Sequence, residues 1–214
     1  IDNNKKILNT KIDREIILKF VHMLKENRNQ KYVNLLRALC VCDGEAVVKN
    51  QTDMSRFIIE DLETRNHLIF QNFRKNKLNQ LEIRLVDYEG QSGECWTTMA
   101  GFQSLSEELD QNSKYEYFLS MIYLLSDLCL QRNYVAINFL KTVYTYDLCF
   151  STVSDETIGY DLRTAFAKLL NTLWLDKNPY QPLNVPQYLV TWDDITPEKC
   201  SEITCAELDQ VHAT

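Results

Sequence analysis

Cys40 and Cys42 are separated by one residue, and this spacing suggests either metal ligands or a redox pair. A zinc site needs four ligands, usually arranged as two Cys/His pairs. The spacing here is unusual for such a site, and His22 and His67 lie on separate predicted elements. On a helix, residues i and i+2 point in nearly opposite directions, so Cys40 is predicted to face the core and Cys42 the other side. We therefore predict reduced, packed thiols, with no metal site and no cofactor.

The sequence gives no support for acid–base or nucleophilic catalysis. The three histidines are isolated, and neither a GxSxG nor a GxxxxGK motif is present. The carboxylates of Glu107–Glu108 and of Asp193–Asp194 are adjacent, and adjacent side chains on a helix diverge. We nominate no catalytic residue and predict that the chain is not an enzyme.

Helices are the elements that position most of these residues. Five glycines and four prolines are too few for the tight turns of an all-β protein of 214 residues. Apolar residues spaced by three and four predict helices from Asp13 to near Asn27, from about Gln30, after Thr52 or Asp53, from Lys114, from near Asn133 and after Gly159. In these predictions Gly44 closes the second helix and Leu62 faces the core of the third. Further helices are predicted at Ser104, which has capping-box spacing to Glu107, and at Thr196–Pro197.

A different periodicity interrupts the helices. In "LEIRLVDY" the apolar residues Leu81, Ile83 and Leu85 occupy every second position, which predicts a strand. The stretch "HLIFQNF" is a second strand candidate that could pair with it. Gly90, Gly93 and Gly101 indicate loops.

The predicted fold is mainly all-α. It is an armadillo-like α-solenoid of stacked helices with a short β-hairpin and loop insert around 65–100. Its parts are helical repeats over 1–64, an insert with short strands over 65–113 and further helical repeats over 114–214. Together they are expected to form one helical domain of a much longer chain.

Charge is unevenly distributed along a chain whose formal net charge is −7. Residues 1–49 carry ten Lys/Arg against six Asp/Glu, whereas 81–130 carry two against nine and 181–214 one against six. An acidic second half argues against nucleic-acid binding. No apolar run is long enough to predict membrane insertion. The basic first part could meet an anionic ligand or an acidic neighbouring surface, or be a solvated helix face.

Five stretches carry a resemblance to a known family: "NNKKILNTKID…ILKFVHMLKENRNQKYVNLLRALCVC" (3–42), "VKNQ" (48–51), "YFLSMIYLLSDLCLQRNYVAIN" (117–138), "SDETIGYDLRTAFAKLLNTLWLDKNP" (154–179) and "VPQYLVTWDDI" (185–195). In order and spacing they resemble the inositol 1,4,5-trisphosphate receptors, the tetrameric calcium-release channels of the endoplasmic reticulum. The matching part is a cytosolic helical region shared with ryanodine receptors, and the resemblance indicates a distant homologue.

The resemblance implies a non-catalytic coupling domain just after the inositol trisphosphate-binding core, on the cytosolic face of the endoplasmic reticulum membrane. It would relay ligand binding toward the pore through contacts with neighbouring domains and subunits of a homotetramer. Inositol trisphosphate and calcium are expected to bind the parent protein outside this fragment. Candidate inter-domain contacts are Lys5, Lys6, Arg132 and Arg163. Two alternatives remain open: the equivalent ryanodine receptor domain, and a free-standing armadillo-like adaptor that binds a peptide.

Overall fold

The computed structural model describes residues 5–78, 80–85, 95–102 and 112–176, and most of them are helical. The helices are α1 Lys5–Thr10, α2 Arg14–Glu26, α3 Gln30–Cys40, α4 Val48–Ser55, α5 Leu62–Leu68, α6 Asn112–Cys129, α7 Tyr134–Val143, α8 Tyr146–Ser154 and α9 Tyr160–Leu170. π-Helical segments continue α4 over Arg56–Glu60 and α9 over Asn171–Leu175, and a 3₁₀ turn, Leu130–Arg132, follows α6. The mainly helical class predicted from the sequence is confirmed. All these elements lie in one compact unit, residues 1–178.

Side-chain caps set the start of several helices. The Asp13 carboxylate accepts a hydrogen bond of 2.9 Å from the Ile16 amide, as predicted for the first residue before α2. Asn29 caps α3 in the same way, through the amide of Lys31. Asp61 accepts from the Thr64 amide at the start of α5. Hydrogen bonds from Thr64 lower the pKa of this carboxyl group.

The Cys40–Cys42 stretch differs from the prediction because α3 ends at Cys40. Two short antiparallel strands follow, β1 Val41–Cys42 and β2 Glu45–Ala46. The loop between them is Asp43–Gly44, and both residues have positive φ, 52° and 79°. Asp-Gly is a favoured sequence for a two-residue hairpin that requires this conformation. Gly44 therefore turns a hairpin and does not close a helix, and Cys42 is buried on a strand.

The predicted start of the third helix is also wrong. Helix α4 begins at Val48, whereas the prediction was a start after Thr52 or Asp53; no side-chain cap marks the true start. Leu62, predicted to face the core, is 58% exposed. The reason is that the continuous helix ends with the π-helical segment, and Leu62 opens the separate helix α5.

A three-stranded antiparallel sheet forms the β insert. Its order is β3 Phe73–Lys75, β4 Leu81–Leu85 and β5 Cys95–Thr98, with Ile83 paired to Phe73 on one side and to Thr97 on the other. The predicted strand from Leu81 is confirmed. The "HLIFQNF" stretch pairs with it only from Phe73, because α5 extends to Leu68.

Helix α6 is central to the core. It packs against α3 on one side and α9 on another. Phe118 on α6 is fully buried, with ring centroids 4.9 Å from Phe70, 5.8 Å from Phe102 and 6.4 Å from Phe166. Helix α8 was not predicted, because only short stretches of its sequence repeat at helical spacing, but Leu148 and Cys149 are buried against the same core.

Several predictions fall outside the described residues. They are the helices at Ser104 and Thr196–Pro197, the loops at Gly90 and Gly93, and the acidic pairs at 107–108 and 193–194. Within the described residues, none of the helices has both the length and the apolar character needed to cross a membrane.

Candidate functional site

A buried carboxylate joins three helices. Asp127, near the end of α6, is 3% exposed. Its Oδ2 accepts a hydrogen bond of 2.9 Å from Arg37 Nε on α3, and its Oδ1 accepts one of 2.5 Å from Lys168 Nζ on α9. Burying a carboxylate is costly unless the charge is paired and hydrogen-bonded. The two cations meet that requirement and tie α3 and α9 to α6.

An aromatic ring lies beside both cations. Tyr123 precedes Asp127 by four residues and so lies on the same face of α6. Its ring centroid is 4.7 Å from the Arg37 guanidinium carbon and 5.8 Å from Lys168 Nζ. Each cation therefore contacts a carboxylate and the face of an aromatic ring, two interactions that fix its position. We call Arg37, Tyr123, Asp127 and Lys168 the Asp127 cluster.

Two amide side chains on α4 extend this cluster to the backbone. Gln51 Nε2 donates to the carbonyl oxygens of Asp127 (3.1 Å) and Leu130 (2.7 Å), at the end of α6 where helix carbonyls lack intrahelical donors. Asn50 Nδ2 donates to the carbonyls of Leu8 on α1 (3.2 Å) and Leu39 on α3 (3.0 Å). Both amides are buried. Helix α4 is thus hydrogen-bonded to α1, α3 and α6.

Replacing Gln51 with leucine is expected to lower the free energy of unfolding by about 1–3 kcal/mol, since the buried Asp127 carbonyl and the partly buried Leu130 carbonyl would lose the amide donor. Chemical denaturation of the protein and the variant measures this difference. A change within about 0.5 kcal/mol, the range of surface substitutions, would show that the amide does not hold the end of α6.

Sequence reasoning did not nominate Asp127, Gln51 or Asn50. One signal was present: Asp127 is the single charged residue between positions 117 and 129, in an otherwise apolar or neutral stretch of the sequence. An acid in such a stretch is buried and must find a cation. Nothing local identifies its partners, which lie 90 residues before it and 41 after it.

Two of the four predicted contact residues, Lys5 and Lys6, lie on α1. Both are exposed. Lys5 forms an ion pair with Glu45 on β2. The hydrogen bond from Lys5 lowers the pKa of Glu45, and the same bond raises the pKa of Lys5. The pair therefore fastens α1 to the β1–β2 hairpin.

Replacing Lys5 with glutamine is expected to return the pKa of Glu45 toward its ordinary value, which a carbon-13 NMR titration of the carboxyl group measures. A depressed carboxyl pKa gives stability that is present above the unfolded pKa and is lost as pH falls through the folded value. A raised lysine pKa gives stability that is lost as pH rises through its folded value. The ion pair therefore stabilises the fold at pH values between the folded-state pKa of Glu45 and that of Lys5. An unchanged Glu45 pKa in the variant would contradict the ion pair in solution.

The other two predicted contact residues make separate local contacts. Arg132 follows α6, has a positive φ of 66°, and donates from Nη2 to Asp176 Oδ1 at 3.0 Å. Arg163 on α9 donates from Nε to the Val153 carbonyl at 2.9 Å, near the end of α8. Arg132 and Arg163 thus join neighbouring segments of the helical stack. The four residues lie on three different parts of the chain, and their role between domains stays a prediction.

Four cysteines are free and buried: Cys40, Cys42, Cys129 and Cys149. Burial raises the pKa of the Cys149 thiol to about 12, and it raises those of Cys40 and Cys129 still further. In the part of the chain that the structure describes, no three His, Cys, Asp or Glu side chains are grouped to hold a metal ion.

These four thiols are expected to stay unlabelled when the native protein is treated briefly with iodoacetamide, since the thiolate is the reactive form and each sulfur is shielded. Mass spectrometry of the digested protein identifies the labelled positions, and labelling in denaturant is the control. Rapid modification of Cys40 or Cys42 in the native protein would contradict the packing described here.

Comparisons with known proteins give a consistent result. The family model of the RIH domain matches residues 1–72. The inositol 1,4,5-trisphosphate receptor-like protein A of Dictyostelium discoideum is 25% identical over 192 residues, which cover 89% of this chain and 6% of that protein. The inositol 1,4,5-trisphosphate receptor itr-1 of Caenorhabditis elegans is 25% identical over 183 residues, 79% of this chain and 6% of that protein. The chain thus spans about 6% of the length of these relatives.

Proposed function

We infer that this chain, a distant homologue of the inositol 1,4,5-trisphosphate receptors, is a non-catalytic coupling domain of a ligand-gated calcium-release channel. The domain would transmit movement from the ligand-binding part of the channel toward its pore. In this proposal the parent protein is a homotetramer in the endoplasmic reticulum membrane, and the chain lies on the cytosolic side. Inositol trisphosphate and calcium would bind other parts of the parent, and neighbouring domains and subunits are the direct partners.

The observation that carries this proposal is the Asp127 cluster. A domain that relays a displacement must move as a rigid body, because a loosely packed stack would absorb the movement internally. Arg37 and Lys168 bind opposite oxygens of one carboxylate, so α3 and α9 are both held to α6. Through backbone carbonyls, the Asn50 amide holds α1 to α4, and the Gln51 amide holds the end of α6 to α4. This network connects the first and last parts of the described chain.

The proposal includes a division of the chain into three parts. Residues 1–64 and 114–214 would be two sets of helical repeats, with the 65–113 insert between them. Lys5, Lys6, Arg132 and Arg163 would reach neighbouring domains, beyond the local contacts that the side chains of Lys5, Arg132 and Arg163 make.

The test uses the full-length channel that contains this chain. Replacing Lys168 with methionine keeps the side-chain length and removes one cation, while Asp127 stays paired with Arg37. We expect an unchanged affinity for inositol trisphosphate and a loss of about fivefold or more in the potency of calcium release, the lower bound of typical allosteric coupling. Lys19→Met, at an exposed position of α2, is the matched control. Equal potency of the Lys168 variant and the control would overturn the proposed relay.

One observation favours a second candidate, a protein-interaction adaptor. Tyr146 and Phe150 on α8 stack with a centroid distance of 5.8 Å and an interplanar angle of 7°, and both are about half exposed. Exposed aromatic residues are typical of interaction surfaces. A Tyr146→Ser/Phe150→Ser variant that loses peptide binding while staying folded by circular dichroism would favour this candidate.

A further inference from the structure

A cleft with basic side chains lies away from the Asp127 cluster, where the α2–α3 connection, the end of α5 with the residues after it, and strand β4 meet. Its volume is about 260 Å³. The residues that matter for its chemistry are Arg28, His67 and Arg84, together with the amide side chains of Asn66, Gln71 and Asn72. None of the described lining residues is acidic, although the chain as a whole has a net charge of −7. The positive charge of this lining favours an anion, whereas the Gln71 amide already donates to the Arg65 carbonyl and to Asn66 Oδ1.

The guanidinium of Arg28 is held in place by a histidine of defined tautomer. His67 Nε2 lies 3.0 Å from the Lys25 carbonyl oxygen, which can only accept, so this nitrogen carries the hydrogen. His67 Nδ1 is then the acceptor for Arg28 Nη2, at 3.2 Å. Arg28 therefore has a fixed orientation at the wall of the cleft, as a preorganised binding group requires.

Arg28 is also partly removed from water. Partial burial lowers the pKa of Arg28 to about 10, because removal from water disfavours the charged form. An anion bound in the cleft would offset part of this penalty. Arg84, on β4, also lines the cleft and is half-buried. Two arginines that line one cleft suit an oxyanion, because a guanidinium can donate two parallel hydrogen bonds to such a group.

We propose that this cleft binds a phosphate-type oxyanion through Arg28 and Arg84, either inorganic phosphate or the phosphate group of a small phosphorylated molecule. The cleft is slightly smaller than pockets for drug-sized ligands, which begin at about 300 Å³, so the group bound is small. The proposal is independent of the coupling function.

Calorimetric titration of the protein with inorganic phosphate at low ionic strength tests the site, with sodium chloride of equal ionic strength as reference. We expect saturable binding that Arg84→Gln weakens by about tenfold or more, the effect of losing one charge-assisted hydrogen bond. Arg84→Lys is expected to recover only part of the affinity, because it restores the charge but not the paired donors. The matched control is Arg56→Gln, an exposed arginine outside the cleft, expected to change binding less than about twofold.

Glycerol phosphate as a second titrant distinguishes a site for inorganic phosphate from a site for a small phosphorylated molecule. Equal affinities assign the site to the oxyanion itself, and tighter binding of glycerol phosphate assigns it to a phosphorylated small molecule. Phosphate-induced shifts of the His67 ring nitrogens by NMR place the bound anion next to Arg28, provided that circular dichroism shows each variant folded. Heats indistinguishable from those of sodium chloride, or equal losses in Arg84→Gln and Arg56→Gln, would overturn the proposal.

Discussion

Asp127→Asn is expected to lower the free energy of unfolding by about 3 kcal/mol, the lower end of the range for breaking a buried ion pair. The variant keeps the side-chain shape but leaves two cations facing a neutral amide. Side chains of Arg37 and Lys168 are 28% and 40% exposed, so water relieves part of the penalty. Urea denaturation followed by circular dichroism measures the difference.

The control for this substitution is Asp176→Asn. Asp176 also pairs with an arginine, Arg132, but both side chains are more than 40% exposed. Exposed pairs contribute about 0–1 kcal/mol, so the expected change is small. Similar losses in the two variants would mean that Asp127 is not buried in solution as described.

A triple variant separates stability from function. Replacing Arg37, Asp127 and Lys168 together with methionine, leucine and methionine removes every charge of the Asp127 cluster. Apolar replacement of a whole buried network is often neutral or stabilising, so most of the loss seen in Asp127→Asn should be recovered. If stability returns while calcium release in the full-length channel stays impaired, the cluster serves coupling beyond holding the fold together.

Phe118→Ala is expected to lower the free energy of unfolding by about 3–5 kcal/mol, the usual cost of emptying a buried phenylalanine site. Phe118 is fully buried on α6 and contacts rings from the loop after α5, from residue 102 and from α9. Because these rings come from separate elements, they cannot close the cavity without moving helices. Thermal and urea denaturation measure the effect.

Phe150→Ala on α8 is the matched control for this second variant. Phe150 is 51% exposed and stacks only on Tyr146 among the described ring contacts. Its loss should cost less than about 1 kcal/mol, since little apolar surface is withdrawn from water there. A Phe118 variant no less stable than the Phe150 variant would contradict the central position of α6.

Much of the helical framework could be predicted from local pattern. The predicted start of α2 after Asp13 and the start of α3 at Gln30 match the structure, because each combines an apolar stripe with a polar capping residue. The β1–β2 hairpin was also predictable, since Asp43–Gly44 is a strong local hairpin signal, but Gly44 was interpreted as a helix end. Helix α4 was harder, because its first residue follows Val47 and no cap marks it.

The candidate site was not predictable in the same way. Arg132 and Arg163 were chosen for their charge at presumed helix ends, and Lys5 and Lys6 as part of the basic first part of the chain. The structure shows local contacts for the side chains of Lys5, Arg132 and Arg163. The more consequential charge, Asp127, was passed over because its neighbours in sequence are apolar.

The sequence by itself determined most of the helical segments, most of the residues that face the core and where the strand of the insert begins, whereas helix α8 and the exposure of Leu62 were not predicted. These properties depend on side chains three or four residues apart, or on alternate residues along a strand, so the information is local. Only the tertiary structure decided that Arg37, Asp127 and Lys168 meet, and that Arg28 and Arg84 line one cleft. Such contacts form between residues 41 to 90 positions apart, where the packing of whole helices and strands brings them together.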